Sequence, residues 1–207
     1  MRRRWFLFFG LIALLLSTGS LSGWFGTSGG SQLVQAQQSD YESKKIVPFV
    51  PTPQDVVERM LELAQVKKGE VVYDLGSGDG RIVITAAKKY GVKAVGFEID
   101  PDLLKQSREN IKKEGVGHLA EIREQDILTV DLSPASVVTM YLLPEVNLRL
   151  RPNVWKQLKP GSRVVSHDFD MGDWKAVKTE AIKDKSGWDH TLYLWTISEK
   201  DKSRDMR

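Results

Sequence analysis

The 207-residue chain contains no cysteine, which excludes disulfides, thiol nucleophiles and cysteine metal sites. Beyond its first four residues, the chain also lacks an excess of charge of one sign. Arg2, Arg3 and Arg4 are the only charged residues before Asp40; setting them aside leaves 27 of the 30 basic residues against 27 acidic ones. Nucleic-acid-binding domains carry a basic stripe. The near-neutral balance therefore predicts that nucleic acid is not a partner.

The first 36 residues have the composition of a signal peptide or membrane anchor. Three arginines precede an uncharged apolar run, Trp5 to Leu16, and small residues follow before a polar linker over 37–45. These are the parts of a secretory signal. If uncleaved, Trp5 to Phe25 is just long enough to span a bilayer, with the arginines cytoplasmic and the domain on the far side. We therefore predict a membrane-anchored or exported protein.

A glycine-rich segment is the most informative stretch of the chain. Residues 71–81 read V-V-Y-D-L-G-S-G-D-G-R, and the G-F-E-I-D segment that follows places Glu98 at its centre. The first segment is typical of a buried strand entering a glycine loop and a helix, and the second of the next parallel strand ending in a carboxylate. This is the layout of a nucleotide-binding βαβ unit.

The glycine spacing discriminates between cofactors. Gly76, Gly78 and Gly80 form G-x-G-x-G, whereas dinucleotide sites use G-x-G-x-x-G. A nicotinamide-dependent oxidoreductase is accordingly disfavoured. Two carboxylates beside the loop, Asp74 and Asp79, would repel a pyrophosphate but suit a ligand with a cationic centre and an amino-acid group. S-adenosylmethionine is such a ligand.

The segment D-L-G-S-G-D-G, followed by an acidic residue ending the second strand, resembles motif I and its successor in class I S-adenosylmethionine-dependent methyltransferases. The resemblance extends from about Val47 to Ile197. It implies that Glu98 binds both ribose hydroxyls, Asp126 the adenine amine, and Asp74 the methionine end; a loop aspartate capping the backbone is the alternative for Asp126. The cofactor-binding residues implied are Asp74, Gly76, Ser77, Gly78, Asp79, Gly80, Glu98, Asp126 and Ile127.

A narrower resemblance rests on V-P-F-V-P-T-P, from Val47 to Pro53. With the glycine loop, it is similar to the lysine methyltransferases that modify the ATP synthase c-subunit and the adenine nucleotide translocase. The resemblance implies a protein lysine acceptor in a membrane protein. A small-molecule methyltransferase and a non-catalytic domain of the same fold are the alternatives. Because S-adenosylmethionine is made in the cytosol, export conflicts with cofactor supply.

Alternating strand and helix patterns predict the fold. Residues 46–199 read as one domain with a Rossmann-like, doubly wound and mostly parallel α/β sheet. Two strand patterns separated only by a turn, Ala176 to Ile182 and Thr191 to Ile197, add an antiparallel C-terminal edge strand. Pro152 predicts an interruption in the helix after the fourth strand. Residues 200–207 are expected to be a disordered tail.

Catalytic candidates follow from strand ends, because ligands of such sheets bind at the carboxyl ends of the strands. Tyr141, at the end of the fourth strand, and His167 and Asp168, at the end of the fifth, are predicted to help an amine lose its proton. A half-buried strand aromatic is the alternative for Tyr141. Asp170 and Trp174 are assigned to the substrate, and core or rim packing is the alternative for Trp174. We predict no metal site, since His and Asp groups at strand ends are more often hydrogen-bonding groups, and we assign His118 and His190 to the surface.

Overall fold

A seven-stranded sheet lies at the centre of the computed structural model, which describes residues 49–204. The strands are β1 (Val71–Leu75), β2 (Lys93–Glu98), β3 (Ala120–Glu124), β4 (Val137–Met140), β5 (Arg163–His167), β6 (Lys178–Lys183) and β7 (Asp189–Thr196). Their spatial order is β3-β2-β1-β4-β5-β7-β6. The order reverses between β1 and β4, which creates the crevice where open α/β sheets bind ligands.

Helices cover both faces of the sheet, as buried parallel strands require. They are α1 (Gln54–Leu63), α2 (Arg81–Tyr90), α3 (Pro101–Lys113), α4 (Pro144–Gln157) and α5 (Glu199–Lys202), with a 3₁₀ turn over Ile127–Thr129. The apolar sides of α1, α2 and α3 pack on one face, and α4 and the 3₁₀ turn pack on the other. The carboxyl ends of β1, β2 and β4 are left open between these layers.

Local sequence explains where the helices around the crevice begin. Asp100 caps α3, accepting hydrogen bonds from the backbone N–H groups of Asp102 and Leu103, and Pro101 occupies the first helical position, where a missing N–H costs nothing. Gly80 caps α2 in the left-handed conformation. These two helices therefore begin at the carboxyl ends of β1 and β2.

The predicted interruption of α4 at Pro152 is wrong. The helix runs from Pro144 to Gln157 with Pro152 inside it. Leu150 and Val154, on either side of the proline, are fully buried. Packing against the sheet compensates for the one backbone hydrogen bond that proline cannot donate.

The C-terminal hairpin completes the sheet. β7 runs antiparallel to both β5 and β6 and lies between them, so the antiparallel strand is second from the edge and β6 is the edge strand. The predicted disordered tail is wrong in its described part, because α5 forms under a Ser198 capping box with Asp201 buried. The capping box and the buried Asp201 account for this helical turn.

No helix within residues 49–204 is long and apolar enough to cross a membrane. The predicted leader over 1–36 and the linker over 37–45 lie outside the described residues, so both remain predictions.

Candidate active site

A cleft of about 900 Å³, counting the part open to solvent, lies at the carboxyl ends of β1, β2 and β4. Of the residues predicted to bind cofactor, those lining the cleft are Asp74, Gly76, Ser77, Asp79, Glu98, Asp126 and Ile127. The sequence therefore predicted most of one wall.

The glycine loop that follows β1 has a backbone conformation that residues with a side chain rarely adopt. Gly76, Gly78 and Gly80 all have positive φ, and a Cβ added at Gly78 would lie 2.3 Å from the Phe49 ring. Gly96 in β2 is equally confined, since a Cβ there would lie 2.5 Å from the Ser77 hydroxyl. Because these glycines have no side chain, the loop packs closely against β2 on one side and against Phe49 on the other.

Glu98 is the buried carboxylate at the end of β2. Its Oε2 accepts a hydrogen bond from the Gly78 N–H at 2.9 Å, and its Oε1 accepts from the N–H groups of Ile99 at 2.8 Å and Asp100 at 3.0 Å. A carboxylate has about four acceptor positions. Glu98 thus holds the loop against β2 and retains acceptor capacity toward the cleft.

Asp74 is buried at the end of β1, where its Oδ1 accepts a 2.7 Å hydrogen bond from the Thr139 hydroxyl. Burial raises the pKa of Asp74 to about 7, the Thr139 hydrogen bond opposes that rise, and the negative charges of Glu98 and Asp79 add to it. The carboxyl group therefore changes charge near neutral pH. A cation in the cleft would favour the ionised form.

The raised pKa of Asp74 predicts a pH-dependent stability. From about pH 4 to pH 7 the folded protein keeps a proton that the unfolded chain has released, so the free energy of unfolding falls as pH rises through this window. The slope from this group is at most about 1.4 kcal/mol per pH unit. We expect Asp74→Asn, measured by urea unfolding without ligand, to gain stability relative to wild type between pH 5 and pH 8. Parallel curves for the two proteins would contradict the assignment.

Asp126 and Ile127 enter the cleft from the loop after β3. Asp126 is half-buried, and its Oδ1 accepts a hydrogen bond from the Leu128 N–H at 2.9 Å, so the backbone-capping alternative describes this side chain. It also lines the cleft. One carboxylate oxygen caps the turn, and an adenine contact by Asp126 stays a prediction.

A short N-terminal arm, Phe49 to Thr52, forms the outer wall of the cleft. The Arg81 guanidinium donates a 2.7 Å hydrogen bond to the Thr52 carbonyl and is paired with Asp79 at 2.6 Å. The Thr52 hydroxyl lies 3.1 Å from Nδ1 of His167. The V-P-F-V-P-T-P motif indicated this arm in the sequence. The position of the arm over the glycine loop was not predicted.

The three predicted catalytic residues lie side by side at the rim. Tyr141 lines the cleft, its ring centroid lies 4.0 Å from that of His167, and its hydroxyl lies 3.4 Å from Asp168 Oδ2. Asp168 has a φ of +60°, a left-handed backbone conformation. His167 is fully buried, and that burial lowers its pKa to about 4, so its imidazole is neutral at neutral pH. Burial and the Asp168 charge both raise the pKa of Tyr141.

His190 joins this group from β7, which corrects its assignment to the surface. Its Nδ1 lies 2.8 Å from His167 Nε2, and its side chain is only 12% exposed. The strand pairing explains the error: Leu192 of β7 is registered with His167 of β5, a long-range pairing that local sequence does not reveal. His118 is exposed, as expected.

Trp174 does not line the cleft, and the core-packing alternative describes its side chain. Its side chain is buried between Trp155 and Trp195, with ring centroids 5.5 and 5.6 Å away. Asp170 is exposed, caps a turn by accepting from the Gly172 N–H, and does not line the cleft. A substrate contact by Asp170 stays a prediction.

Comparisons with known proteins agree with this geometry. A family model described as the ANTKMT methyltransferase domain matches residues 74–178. The chain is 49% identical over 154 residues to a protein-lysine N-methyltransferase of Saccharolobus islandicus, covering 74% of this chain and 95% of that protein. It is 37% identical over 131 residues to the human lysine N-methyltransferase of the ATP synthase c-subunit, spanning 63% of this chain but only 55% of that relative.

A solved structure is similar too. The crystal structure of an RNA methyltransferase from Salinibacter ruber in complex with S-adenosyl-L-homocysteine superposes with a TM-score of 0.68 at 57% identity, covering 72% of this chain and 95% of the other. The predicted Rossmann-like fold class is thereby confirmed. The names of these relatives differ in the acceptor, one a protein lysine and the other an RNA.

Proposed function

Because the chain belongs to the family of ANTKMT methyltransferase domains, we propose that it transfers a methyl group from S-adenosylmethionine to the side-chain nitrogen of a lysine in a protein. The observation that carries this proposal is the 49% identity to a protein-lysine N-methyltransferase across 95% of that enzyme. The predictions of a methyltransferase and of its S-adenosylmethionine cofactor are confirmed by these relatives, and the predicted lysine acceptor agrees with the name of the archaeal relative.

The cleft fits this cofactor. When bound, S-adenosylmethionine supplies an electrophilic methyl group on a sulfonium centre. Glu98 would accept hydrogen bonds from the ribose, Asp126 from the adenine amine, and Asp74 would face the cationic methionine end. The flat glycine loop lets the backbone approach the ligand closely. The arm from Phe49 to Thr52 lines the outer side of the cleft.

The acceptor would enter at the rim, beside Tyr141. A lysine reacts only as the neutral amine, and apolar surroundings favour that form. Phe49, Val50 and Leu142 supply apolar surface there. The Tyr141 hydroxyl, next to Asp168 Oδ2 at 3.4 Å, is the polar group that can orient the amine by accepting one of its hydrogens.

Replacing Tyr141 with phenylalanine tests this role. Loss of one hydrogen bond worth about 1.5 kcal/mol is expected to lower kcat about tenfold and leave the cofactor Kd unchanged. Tyr90→Phe is the control, because the Tyr90 hydroxyl is buried without a hydrogen-bond partner and lies outside the cleft. Equal kcat in wild type and Tyr141→Phe would exclude the hydroxyl from the reaction.

The acceptor molecule is the finer part of the proposal. The human relative is named for a component of ATP synthase, and a membrane-protein acceptor fits the predicted leader. The Salinibacter structure is described as an RNA methyltransferase, so RNA is the rival acceptor. The near-neutral charge of the chain beyond its first arginines supports protein over RNA.

Methyl-labelled S-adenosylmethionine distinguishes the two acceptors. The purified chain is incubated with the ATP synthase c-subunit in detergent and, separately, with total RNA, and the label is followed into each. Methyllysine in the hydrolysed protein, absent with Glu98→Ala, supports the proposal. Label confined to RNA would replace the protein acceptor with a nucleic acid. Label in neither, with cofactor binding intact, would reject this ATP synthase component as acceptor.

A further inference from the structure

Three side chains that ligate transition metals converge beside the cofactor cleft, at the carboxyl end of β5. His167 Nε2 lies 2.8 Å from His190 Nδ1 and 3.3 Å from Asp168 Oδ2, and Asp168 Oδ2 lies 3.6 Å from His190 Nδ1. The same three atoms define all three distances. They form a compact triangle of two imidazole nitrogens and one carboxylate oxygen.

The size of this triangle fits a single ion. Zinc binds imidazole nitrogen and carboxylate oxygen at about 2.0 to 2.2 Å, which places tetrahedral ligand atoms roughly 3.2 to 3.6 Å apart. Two of the three separations lie in that range, and the two nitrogens, 2.8 Å apart, would have to move about 0.4 Å further apart for an ion to bind between them. We propose that His167, Asp168 and His190 bind a divalent transition-metal ion of the zinc class.

Groups behind the ligands support the proposal, because ligating side chains are normally held by a second hydrogen bond. The outer nitrogen of His167, Nδ1, lies 3.1 Å from the Thr52 hydroxyl. The outer nitrogen of His190, Nε2, is buried without a hydrogen-bond partner and lies 3.5 Å from Asp184 Oδ2. Asp168 Oδ1 accepts a 2.8 Å hydrogen bond from the Thr191 N–H. Hydrogen bonds thus orient His167 and Asp168 from the side facing away from the triangle.

Position in the fold indicates what the ion would do. His167 is the last residue of β5, Asp168 follows it directly, and His190 belongs to β7, 23 residues from His167. Through Thr52, His167 also contacts the arm that covers the cofactor cleft. A bound ion would therefore fasten the hairpin strand, the end of β5 and the arm together. The competing arrangement is a proton shared between the two imidazoles, with no metal.

Cobalt is a suitable probe because its visible absorption reports the ligand set. The full-length chain, stripped with chelator, is titrated with Co²⁺, and zinc-dependent melting is followed in parallel. We expect about one equivalent to bind with absorption between about 500 and 650 nm, and Zn²⁺ to raise Tm. The result should not depend on which acceptor is methylated.

Two variants decide whether these ligands are responsible. Asp168→Asn keeps a residue type that tolerates the left-handed backbone, and His190→Asn removes the third ligand; both should abolish the absorption and the zinc-dependent rise in Tm. His118→Asn changes the exposed histidine and should leave both signals intact. Wild-type protein that shows no stoichiometric absorption, or folded variants that keep it, would overturn the proposal in favour of the shared proton.

Discussion

Replacing Glu98 with alanine is expected to weaken S-adenosylmethionine binding by about two orders of magnitude. A hydrogen bond to a charged group contributes about 1.5 to 3 kcal/mol, and loss of a ribose contact near the upper figure corresponds to roughly 100-fold in Kd. The effect should be large because Glu98 is buried at the end of β2 and also holds Gly78 in place. Removing the Glu98 carboxylate therefore removes the ribose contact and also the hydrogen bond that holds the glycine loop.

Calorimetric titration of wild type and variant with S-adenosylmethionine measures this effect. The matched control is Glu124→Ala, because Glu124 is registered with Glu98 in the β2–β3 pairing but is exposed and outside the cleft. Circular dichroism checks that both variants fold. An unchanged Kd for folded Glu98→Ala would remove Glu98 from the cofactor site, whereas loss of affinity in Glu124→Ala would indicate a nonspecific effect of charge.

Trp195→Ala is expected to cost about 3 to 5 kcal/mol of stability, the range for removing a fully buried aromatic side chain. Trp195 has no exposed surface, stacks on Trp174 at 5.6 Å, and donates a 2.7 Å hydrogen bond from its indole N–H to the Trp174 carbonyl. Truncation leaves a large cavity and an unpaired buried carbonyl. For a chain of this size the loss lowers Tm by roughly 6 to 20 °C.

Thermal and urea unfolding of Trp188→Ala provide the comparison. Trp188 sits next to the start of β7, near the turn to β6, but is 72% exposed, so its removal should change the free energy of unfolding by less than about 0.5 kcal/mol. Similar losses in the two variants would show that the tryptophan cluster does not stabilise the core. Residual activity of Trp195→Ala at low temperature would separate stability from catalysis.

The parts of the fold predicted correctly were those encoded by local pattern. The strand that begins at Val71, the glycine loop, the following helix and the strand that ends at Glu98 are consecutive in sequence, so spacing alone located the cleft. The confirmed fold class likewise follows from alternating strand and helix patterns. In each case the relevant contacts lie within one βαβ unit or between neighbours along the chain.

The parts that were missed depend on pairing between distant segments. His190 joins His167 because β7 pairs with β5, a register that depends on the hairpin turn and on burial of Leu192 and Trp195. Trp174 looked like a pocket residue because it follows a strand end, yet the tryptophans around it draw it into the core. The helix-breaking tendency of Pro152 was outweighed by the packing of α4 on the sheet.

Two separate requirements act at position 168: the left-handed backbone conformation and the carboxylate of Asp168. Few residue types other than glycine, asparagine and aspartate adopt a φ of +60° without cost, so the turn alone limits what can occupy the position. Aspartate is the member of that short list with a negative charge. A related protein with glycine or asparagine at this position would keep the turn conformation and lack the carboxylate.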